Sequence, residues 1–240
     1  MNARQLITDS RPFLNWLVNW YNSRPTLGLA RLITETGGPE KVAVMAVDVT
    51  TGFCSEGALS SERVGRIVQP IVRLFKLAHS LGVRHFVMPQ DTHSPDAVEF
   101  GSYPPHCVRG SRESQTVPEL HNLPFSNQFT IIEKNSVSVS IGTGLDDWLA
   151  AHPEVTTFVV VGDCTDLCTH QLAMHLRLRA NAFNLPGVRV ILPIDGVDTF
   201  DIPVKTAEEL GIMPHHADLL HLIFLYNMAE NGVEVVTRIE

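Results

Sequence analysis

Positive charge is scarce along this chain, and no long apolar run occurs. The 240 residues include 18 Lys and Arg against 26 Asp and Glu, a formal net charge of -8, and the basic residues form no cluster. Because nucleic-acid affinity comes largely from clustered basic side chains, we expect no nucleic-acid partner. No uninterrupted apolar stretch approaches the ~20 residues of a membrane span, so we expect no membrane partner either.

Cysteines are few, and the first residues carry no sign of export. Residues 1–10 lack the basic-then-apolar pattern of a signal peptide. Cys54, Cys107, Cys164 and Cys168 could pair in principle, but in this context we expect reduced thiols in a cytoplasmic protein. With 44% hydrophobic residues, a chain of this length can bury a full core.

Short strand-like runs alternate with helix-like segments. The strand-like runs are rich in Val, Ile and Phe, whereas the helix-like segments repeat apolar residues every three or four positions. The predicted strands cover 41–48, 83–89, 129–133, 156–162, 188–193 and 233–239, and the predicted helices cover 61–80, 143–151, 165–181 and 214–230. This alternation predicts an α/β fold, a three-layer αβα sandwich around a mostly parallel sheet of about six strands.

Residues 1–40 precede the first predicted strand and are expected to form a helical extension to a domain at 41–240. After Asp9 and Ser10, with Pro12 near the first turn, apolar residues share one helical face. They are Phe13, Leu14, Trp16, Leu17, Trp20 and Tyr21. We expect this face to pack on the chain's own domain; the alternatives are contact with a neighbouring subunit or a place beside the functional site.

Three chemically active side chains fall at corresponding strand ends. Asp48 ends the first predicted strand, Lys134 ends the third, and Cys168 follows the fourth. In a parallel sheet, ligands bind beyond the carboxyl ends of the strands, so these side chains are expected to meet at one edge. A carboxylate beside a thiol can accept its proton and a lysine stabilises both anions, which predicts a catalytic triad for acyl transfer.

The surroundings of Cys168 predict where its sulfur points. An apolar run at 158–161 indicates a buried strand that ends at Gly162, and Thr165 with Asp166 begins the next helix. The thiol then lies in the first helical turn, where free N–H groups and the helix dipole lower the pKa of a thiol and stabilise an oxyanion. The alternative is a cysteine that only packs in the core.

A second group of residues has the chemistry of a metal site. Asp91 and His93 are two residues apart, so in an extended segment they point the same way, and His106 lies in the same long polar connection, 90–124. Three protein ligands plus water describe an open catalytic site, and nitrogen and oxygen ligands suit zinc, iron or manganese. The alternative is that the histidines are surface residues. A zinc knot would instead use Cys164, Cys168 and His170.

Five short motifs are spread along the chain. They are V-D-V-T-T-G-F-C-S-E-G-A-L at 47–59, D-T-H at 91–93, P-P-H-C-V-R-G-S at 104–111, Lys134 with I-G-T at 141–143 and Leu145, and G-D-C-T-D-L-C at 162–168. In this order they resemble the motifs of the nicotinamidase and isochorismatase-like family of cysteine hydrolases. The resemblance covers about 42–193. The metal segment is similar to that of the nicotinamidase branch.

The resemblance implies an isochorismatase-like hydrolase fold and hydrolysis of a small carboxamide, nicotinamide to nicotinate and ammonia in NAD salvage. It implies Asp48 as the base, Lys134 as its charged partner, a thioester on Cys168, and an oxyanion hole formed by the amides of Cys164 and Cys168. It also implies that Phe53 stacks on the substrate ring. The metal ligands would be Asp91, His93 and His106, holding one divalent ion: zinc, with iron or manganese as alternatives.

Departures from the family pattern leave other functions open. Asp163 and Cys164 follow Gly162 where the family often has small apolar residues, and Thr50 to Gly52 replace a polar triplet. The alternatives are another small amide such as an N-carbamoyl or ureido compound, an isochorismate-type vinyl ether, or a catalytically silent member with a binding role. We also expect a homo-oligomer, a dimer or a tetramer.

Overall fold

A parallel sheet of seven strands organises the molecule. This computed structural model describes residues 1–240, and the strands stand in the order β3, β2, β1, β4, β5, β7, with β6 beside β4. They are β1 (Val42–Val47), β2 (His85–Asp91), β3 (Phe129–Lys134), β4 (Thr157–Asp163), β5 (Arg189–Pro193), β6 (Val197–Asp198) and β7 (Glu234–Val236). Every pairing is parallel, so the predicted fold class is confirmed, and β6 adds a seventh strand.

Helices cover both faces of the sheet. They are α1 (Ala3–Asn22), α2 (Leu29–Thr36), α3 (Thr51–Cys54), α4 (Glu62–Ser80), α5 (Pro118–His121), α6 (Leu145–Ala151), α7 (Cys168–Ala182), α8 (Val204–Leu210) and α9 (Ala217–Glu230). Buried residues of α2 to α5 pack on one face, and those of α6, α7 and α9 pack on the other. The sheet is therefore the middle layer of three.

Strand β1 anchors the centre of the sheet. Its six residues are all fully buried and alternate between the two apolar clusters: Val42, Val44 and Ala46 face one layer, and Ala43, Met45 and Val47 face the other. A continuous apolar run is typical of a parallel strand covered on both faces. Because burial of each Val-sized side chain stabilises the fold by ~1.5–3 kcal/mol, the residue that follows β1 is held firmly.

Helix α1 begins earlier than its apolar pattern predicts. It starts at Ala3, where the Asn2 side chain caps it by accepting a hydrogen bond from the Gln5 amide at 3.2 Å, and Pro12 lies inside it. The predicted start near residue 9 was wrong because the cap at Asn2 satisfies a free N–H two turns sooner. As expected, the helix packs on the chain's own domain: Leu17 is buried, and the Trp20 and Tyr226 rings of α1 and α9 meet edge to face.

The segment that follows α1 joins the main core. Leu29, Leu32 and Ile33 of α2 belong to the cluster on one face of the sheet, and the backbone of Leu27 bridges to Ile239. The division at residue 40 stays a prediction. All four cysteines are unpaired and buried. None of the helices combines the length and apolarity needed to cross a bilayer.

Candidate active site

The carboxyl ends of four neighbouring strands bring the predicted residues together. Asp48 directly follows β1, Asp91 ends β2 and Lys134 ends β3, with Asp91 and Lys134 paired in register. Cys168 is the first residue of α7, the helix that follows β4. The strand-end argument therefore placed these side chains at the correct edge.

A buried ammonium lies at the centre of one cluster. Lys134 Nζ lies 2.8 Å from Asp48 Oδ2, donates a hydrogen bond of 2.5 Å to Asp91 Oδ1, and lies 3.4 Å from Cys168 Sγ. A second contact orients the Asp48 carboxylate: its Oδ1 accepts a hydrogen bond of 2.7 Å from the backbone amide of Asp91. We call Asp48, Asp91, Lys134 and Cys168 the lysine cluster.

The charges of the lysine cluster depend on one another. Burial, together with the charge of Asp91, raises the pKa of Asp48 to about 6, although Lys134 opposes the rise. Burial alone would also raise the pKa of Asp91, but Lys134 and the nearby histidines hold it below its ordinary range. Burial disfavours the Lys134 ammonium, yet Asp48 and Cys168 raise its pKa well above the ordinary value. At neutral pH Asp48 is therefore mainly ionised.

The pKa of the Cys168 thiol is shifted in the direction opposite to the prediction. Burial raises the pKa of Cys168 well above the ordinary value for cysteine, and the lowering effect of Lys134 does not overcome it. The expected lowering by the helix terminus is therefore outweighed, since Cys168 is only 6% exposed. A thiol of this kind needs a base beside it before it can attack, and Asp48 belongs to the same cluster.

The turn before α7 exposes two backbone amides. The helix begins at Cys168 and not at residue 165 as predicted, because Thr165 is held outside it: its amide donates to Asp198 O at 3.0 Å and its hydroxyl contacts His221 Nδ1 at 2.9 Å. The peptide between Asp163 and Cys164 is cis. The N–H groups of Cys164 and Cys168 take no part in the backbone hydrogen bonds, so both are free to donate to another acceptor.

A glycine allows this turn to form against the central strand. Gly162 has φ 114°, and a Cβ atom there would lie 2.0 Å from the Val47 carbonyl oxygen. Asp48, the next residue of the neighbouring chain segment, also has positive φ, 53°, which Asp tolerates better than most residues. Close backbone approach at this point thus brings Asp48 and the turn before Cys168 together.

The predicted metal ligands form a second cluster that shares Asp91. The ligand atoms of Asp91, His93 and His106 all lie within 4.8 Å of one another, and the three residues are buried. His93 Nε2 is 3.4 Å from Asp91 Oδ1, and His106 Nε2 is 3.7 Å from Asp91 Oδ2. We call these three residues the histidine cluster.

The histidine cluster has the donor set of a metal site. Both ring nitrogens of His93 are buried without a hydrogen-bond partner, although buried polar atoms are rarely left so. His106 Nδ1 donates to Pro104 O at 2.8 Å, which leaves Nε2 with a lone pair directed at Asp91. The residues therefore fit a divalent ion. A similar trio of Asp48, Asp91 and Cys168 surrounds the Lys134 ammonium, which already supplies a cation there.

A cavity of about 360 Å³ opens between the two clusters. Its wall includes Asp48, Asp91, Cys168, His106 and Phe53, whose ring lies 5.5 Å from that of His106. The further residues that line it are Ala58, Leu59, Ser60, Ser61, Glu99, Tyr103, Val137, Asp163, Cys164, Leu167, Phe200, Asp201 and Ile202. Helix α1 does not line the cavity, so that alternative for the helix was wrong.

Sequence reasoning missed several of these residues. Glu99 Oε1 lies 3.8 Å from His93 Nε2, so a second carboxylate faces the histidine cluster. The sequence did contain a signal for Glu99, since Glu99 lies six residues after His93 in the same polar connection, 90–124. Phe200, Asp201 and Ile202 gave no local signal. They follow strand β6, which has only two residues and therefore no recognisable pattern, and they line the cavity.

Comparison with known proteins identifies the family. The isochorismatase domain matches residues 42–237. Nicotinamidase 1 of Arabidopsis thaliana is 30% identical over 215 residues, which cover 82% of this chain and 86% of the relative.

Solved structures agree on the fold. N-carbamoylsarcosine amidase of Thermoplasma acidophilum has a TM-score of 0.61 at 22% identity, covering 82% of this chain and 95% of that one. Pyrazinamidase of Pyrococcus horikoshii in complex with zinc has a TM-score of 0.61 at 22% identity, covering 82% and 98%. The chain belongs to the isochorismatase domain family, and it is an amidohydrolase of the cysteine hydrolase type.

Proposed function

We propose that this chain hydrolyses a small uncharged carboxamide, nicotinamide in the first instance, to the carboxylic acid and ammonia through a thioester on Cys168. The charge of the cavity wall supports this substrate class. The wall contains the carboxyl groups of Asp48, Asp91, Glu99, Asp163 and Asp201 and no Lys or Arg. The nearby Lys134 ammonium is already held by two carboxylates.

The same observation ranks the alternatives. N-carbamoyl amino acids, ureido acids and isochorismate carry carboxylate groups, which would face the acidic side chains of the wall and find no Lys or Arg there to bind them. A catalytically silent binding role is opposed by the lysine cluster, because Lys134 contacts both Asp48 and Cys168, and these two residues line the cavity. A neutral amide is therefore the substrate class that we favour.

The first half of the proposed reaction makes the thioester. Asp48 accepts the proton of the Cys168 thiol as sulfur attacks the amide carbon, and Lys134 stabilises the negative charge that moves between them. The oxyanion of the tetrahedral intermediate is bound by the N–H groups of Cys164 and Cys168; loss of one such donor costs ~3 kcal/mol in other enzymes. Asp48 then gives the proton to the nitrogen, the C–N bond breaks and ammonia leaves.

The second half regenerates the thiol. Water attacks the thioester carbon while Asp48 accepts one of its protons. The C–S bond then breaks, and the thiolate of Cys168 recovers that proton as the carboxylic acid leaves. The same base, charge partner and pair of amides therefore serve both steps.

The histidine cluster would position the substrate. Asp91, His93 and His106 would hold one divalent ion, zinc in the first instance, with Glu99 beside them. When bound, such an ion supplies a Lewis-acid contact for a ring nitrogen of the substrate. Phe53 would stack on the ring and limit its rotation.

An ammonia-release assay tests the proposal. We expect turnover of nicotinamide or pyrazinamide to exceed that of N-carbamoylsarcosine by about tenfold or more, since the carboxylate of the latter would face acidic side chains and find no Lys or Arg in the wall. Mass spectrometry of quenched reactions should show the acyl group on the peptide that contains Cys168, with Cys54→Ser as the control that still acylates. Faster hydrolysis of the carbamoyl acid, or no acyl adduct during turnover, would contradict the proposal.

The assembly and location of the chain stay predictions from the sequence. A homo-oligomer is compatible with the exposed side chains of Phe13 and Trp16 on α1, which are 43% and 51% exposed. Sedimentation equilibrium would measure the oligomeric state, and the cytoplasmic location needs a measurement in cells.

A further inference from the structure

Asp163 is a buried carboxyl group that the proposed mechanism does not use. It ends β4, directly before Cys164, and is 1% exposed. Its side chain lines the cavity that also contains Cys168 and Phe53. The nucleophile turn therefore carries an acid at a position where the resembled family often has a small apolar residue.

The hydrogen bonds of Asp163 are incomplete. Its Oδ1 atom has no partner, and its Oδ2 atom contacts only the Cys164 thiol, at 3.8 Å. No cation lies within ion-pair distance, because Lys134 contacts Asp48 and Asp91 instead. A buried polar atom without a hydrogen-bond partner destabilises the protein, so such an atom on a residue of the cavity wall indicates a place for a ligand atom.

The charge of the wall indicates which kind of ligand atom this is. An anionic group at Asp163 would also face the acids Asp48 and Asp201 across the same cavity. An N–H group, in contrast, satisfies a carboxyl oxygen whether or not the acid carries its proton. Burial, with the charge of Asp48, raises the pKa of Asp163 well above its ordinary range. An N–H group therefore fits Oδ1 whether Asp163 is ionised or carries its proton on Oδ2, whereas an acceptor fits only when the proton is on Oδ1.

We propose that Asp163 determines specificity by accepting a hydrogen bond from an N–H group of the substrate, so that the preferred substrate is an aromatic carboxamide with an amino substituent. The inference rests on the proposed amide hydrolysis and narrows its substrate class. Phe53 in the same wall fits the flat ring of such a molecule. The amino group would donate a hydrogen bond to Oδ1, which has no partner within the protein.

Matched pairs of substrates test the proposal. Each monoamino nicotinamide is compared with the methyl nicotinamide substituted at the same ring position, which has nearly the same size and no donor. For at least one pair, we expect kcat/KM of the wild-type protein to favour the amino compound by about tenfold or more. Asp163→Val should abolish that preference, and Asp163→Asn should retain it because its amide oxygen still accepts. A purely structural role would lower both members of a pair by the same factor.

Binding measurements separate this proposal from the proposed function. Calorimetry on Cys168→Ala measures the dissociation constants of the same pairs without turnover. If the wild type hydrolyses no nicotinamide but Cys168→Ala binds an amino compound preferentially, the proposed function fails and the role of Asp163 stands. If no pair differs in kcat/KM or in Kd, or if Asp163→Val keeps the preference, the role of Asp163 is overturned even when nicotinamide is hydrolysed. The wild-type comparison decides this even where Asp163→Val does not fold.

Discussion

The lysine cluster and the histidine cluster lie side by side and share Asp91, yet they differ in how their charges are satisfied. In the lysine cluster, the ammonium is held by two carboxylates at 2.8 and 2.5 Å. In the histidine cluster, the two ring nitrogens of His93 are fully buried and make no hydrogen bond, although carboxylates of Asp91 and Glu99 lie within 4 Å of Nε2. The first cluster is complete within the chain, whereas the second has the form of a site that an added cation completes.

This difference indicates which of the two clusters stabilises the fold. Removing Lys134 would leave two buried carboxylates without a cation, and breaking a buried ion pair in this way is strongly destabilising. Removing His93 would take away only a side chain that makes no hydrogen bond. The first change should therefore affect both stability and chemistry, and the second should affect ligand binding and leave the fold in place.

Loss of the nucleophile should give the largest effect on activity. Cys168→Ala should lower kcat on nicotinamide by roughly 10⁴-fold or more, because covalent catalysis has no substitute in the cavity. The variant should keep the metal content of the wild type, measured by elemental analysis, since the thiol is outside the histidine cluster. Cys54→Ser is the control, and a Cys168→Ala protein that still releases ammonia would remove the thioester from the mechanism.

Loss of the Lys134 ammonium should lower activity nearly as severely and should also destabilise the fold. We expect Lys134→Met to lower kcat by about 10²-fold or more and the free energy of unfolding by about 3–5 kcal/mol. The exposed Lys205, changed to Met, is the matched control and should stay within about 0.5 kcal/mol of the wild type. Urea unfolding measures the stability.

Thiol alkylation tests the same variant in a second way. Lys134 lowers the pKa of Cys168, so its removal should shift the pH dependence of alkylation by iodoacetamide to higher pH. An unchanged profile together with normal stability would make Lys134 a bystander.

A change in the histidine cluster should cost less and depend on the substrate. His93→Ala should lose the divalent ion and lower kcat/KM for nicotinamide by ~10²-fold, because positioning matters most for an unreactive amide. It should spare a reactive ester that needs only the lysine cluster. The exposed His121 in the same connection, changed to Ala, is the control. Equal losses for amide and ester would indicate that the histidine cluster supports the cavity and does not orient the substrate.

The smallest effect should come from pH. The pKa of Asp48 is about 6, and only the ionised base accepts the thiol proton, so kcat/KM should fall about tenfold per pH unit below that value and be nearly flat just above it. Circular dichroism over the same range would show whether the fold persists. Activity that does not decline until far below pH 6 would mean that Asp48 stays ionised by another route.

The strand ends could be predicted because their positions follow from local pattern and parallel register. Asp48, Lys134 and Cys168 each adjoin an apolar run, and parallel strands bring their carboxyl ends to one edge. The histidine cluster could be anticipated from spacing and from the resemblance. These features depend on short stretches of chain, so a single sequence contains them.

Other features depend on contacts between distant segments. Strand β6 has two residues, too few for any periodicity. The residues that follow it, Phe200 to Ile202, nevertheless line the cavity. The raised pKa of Cys168 arises from burial by the assembled layers, which outweighs the helix terminus. Burial is a property of the whole fold, and for that reason the sequence predicted the opposite shift.

The sharing of Asp91 makes the two clusters thermodynamically linked. One of its oxygens accepts from the Lys134 ammonium, and the other faces His106. A ligand that draws negative charge from Asp91 on one side must change the proton affinities of Asp48 and Cys168 on the other. By reciprocity, the state of the thiol must change the affinity of the histidine cluster by the same factor. One carboxylate thus couples occupancy at one end of the cavity to protonation at the other.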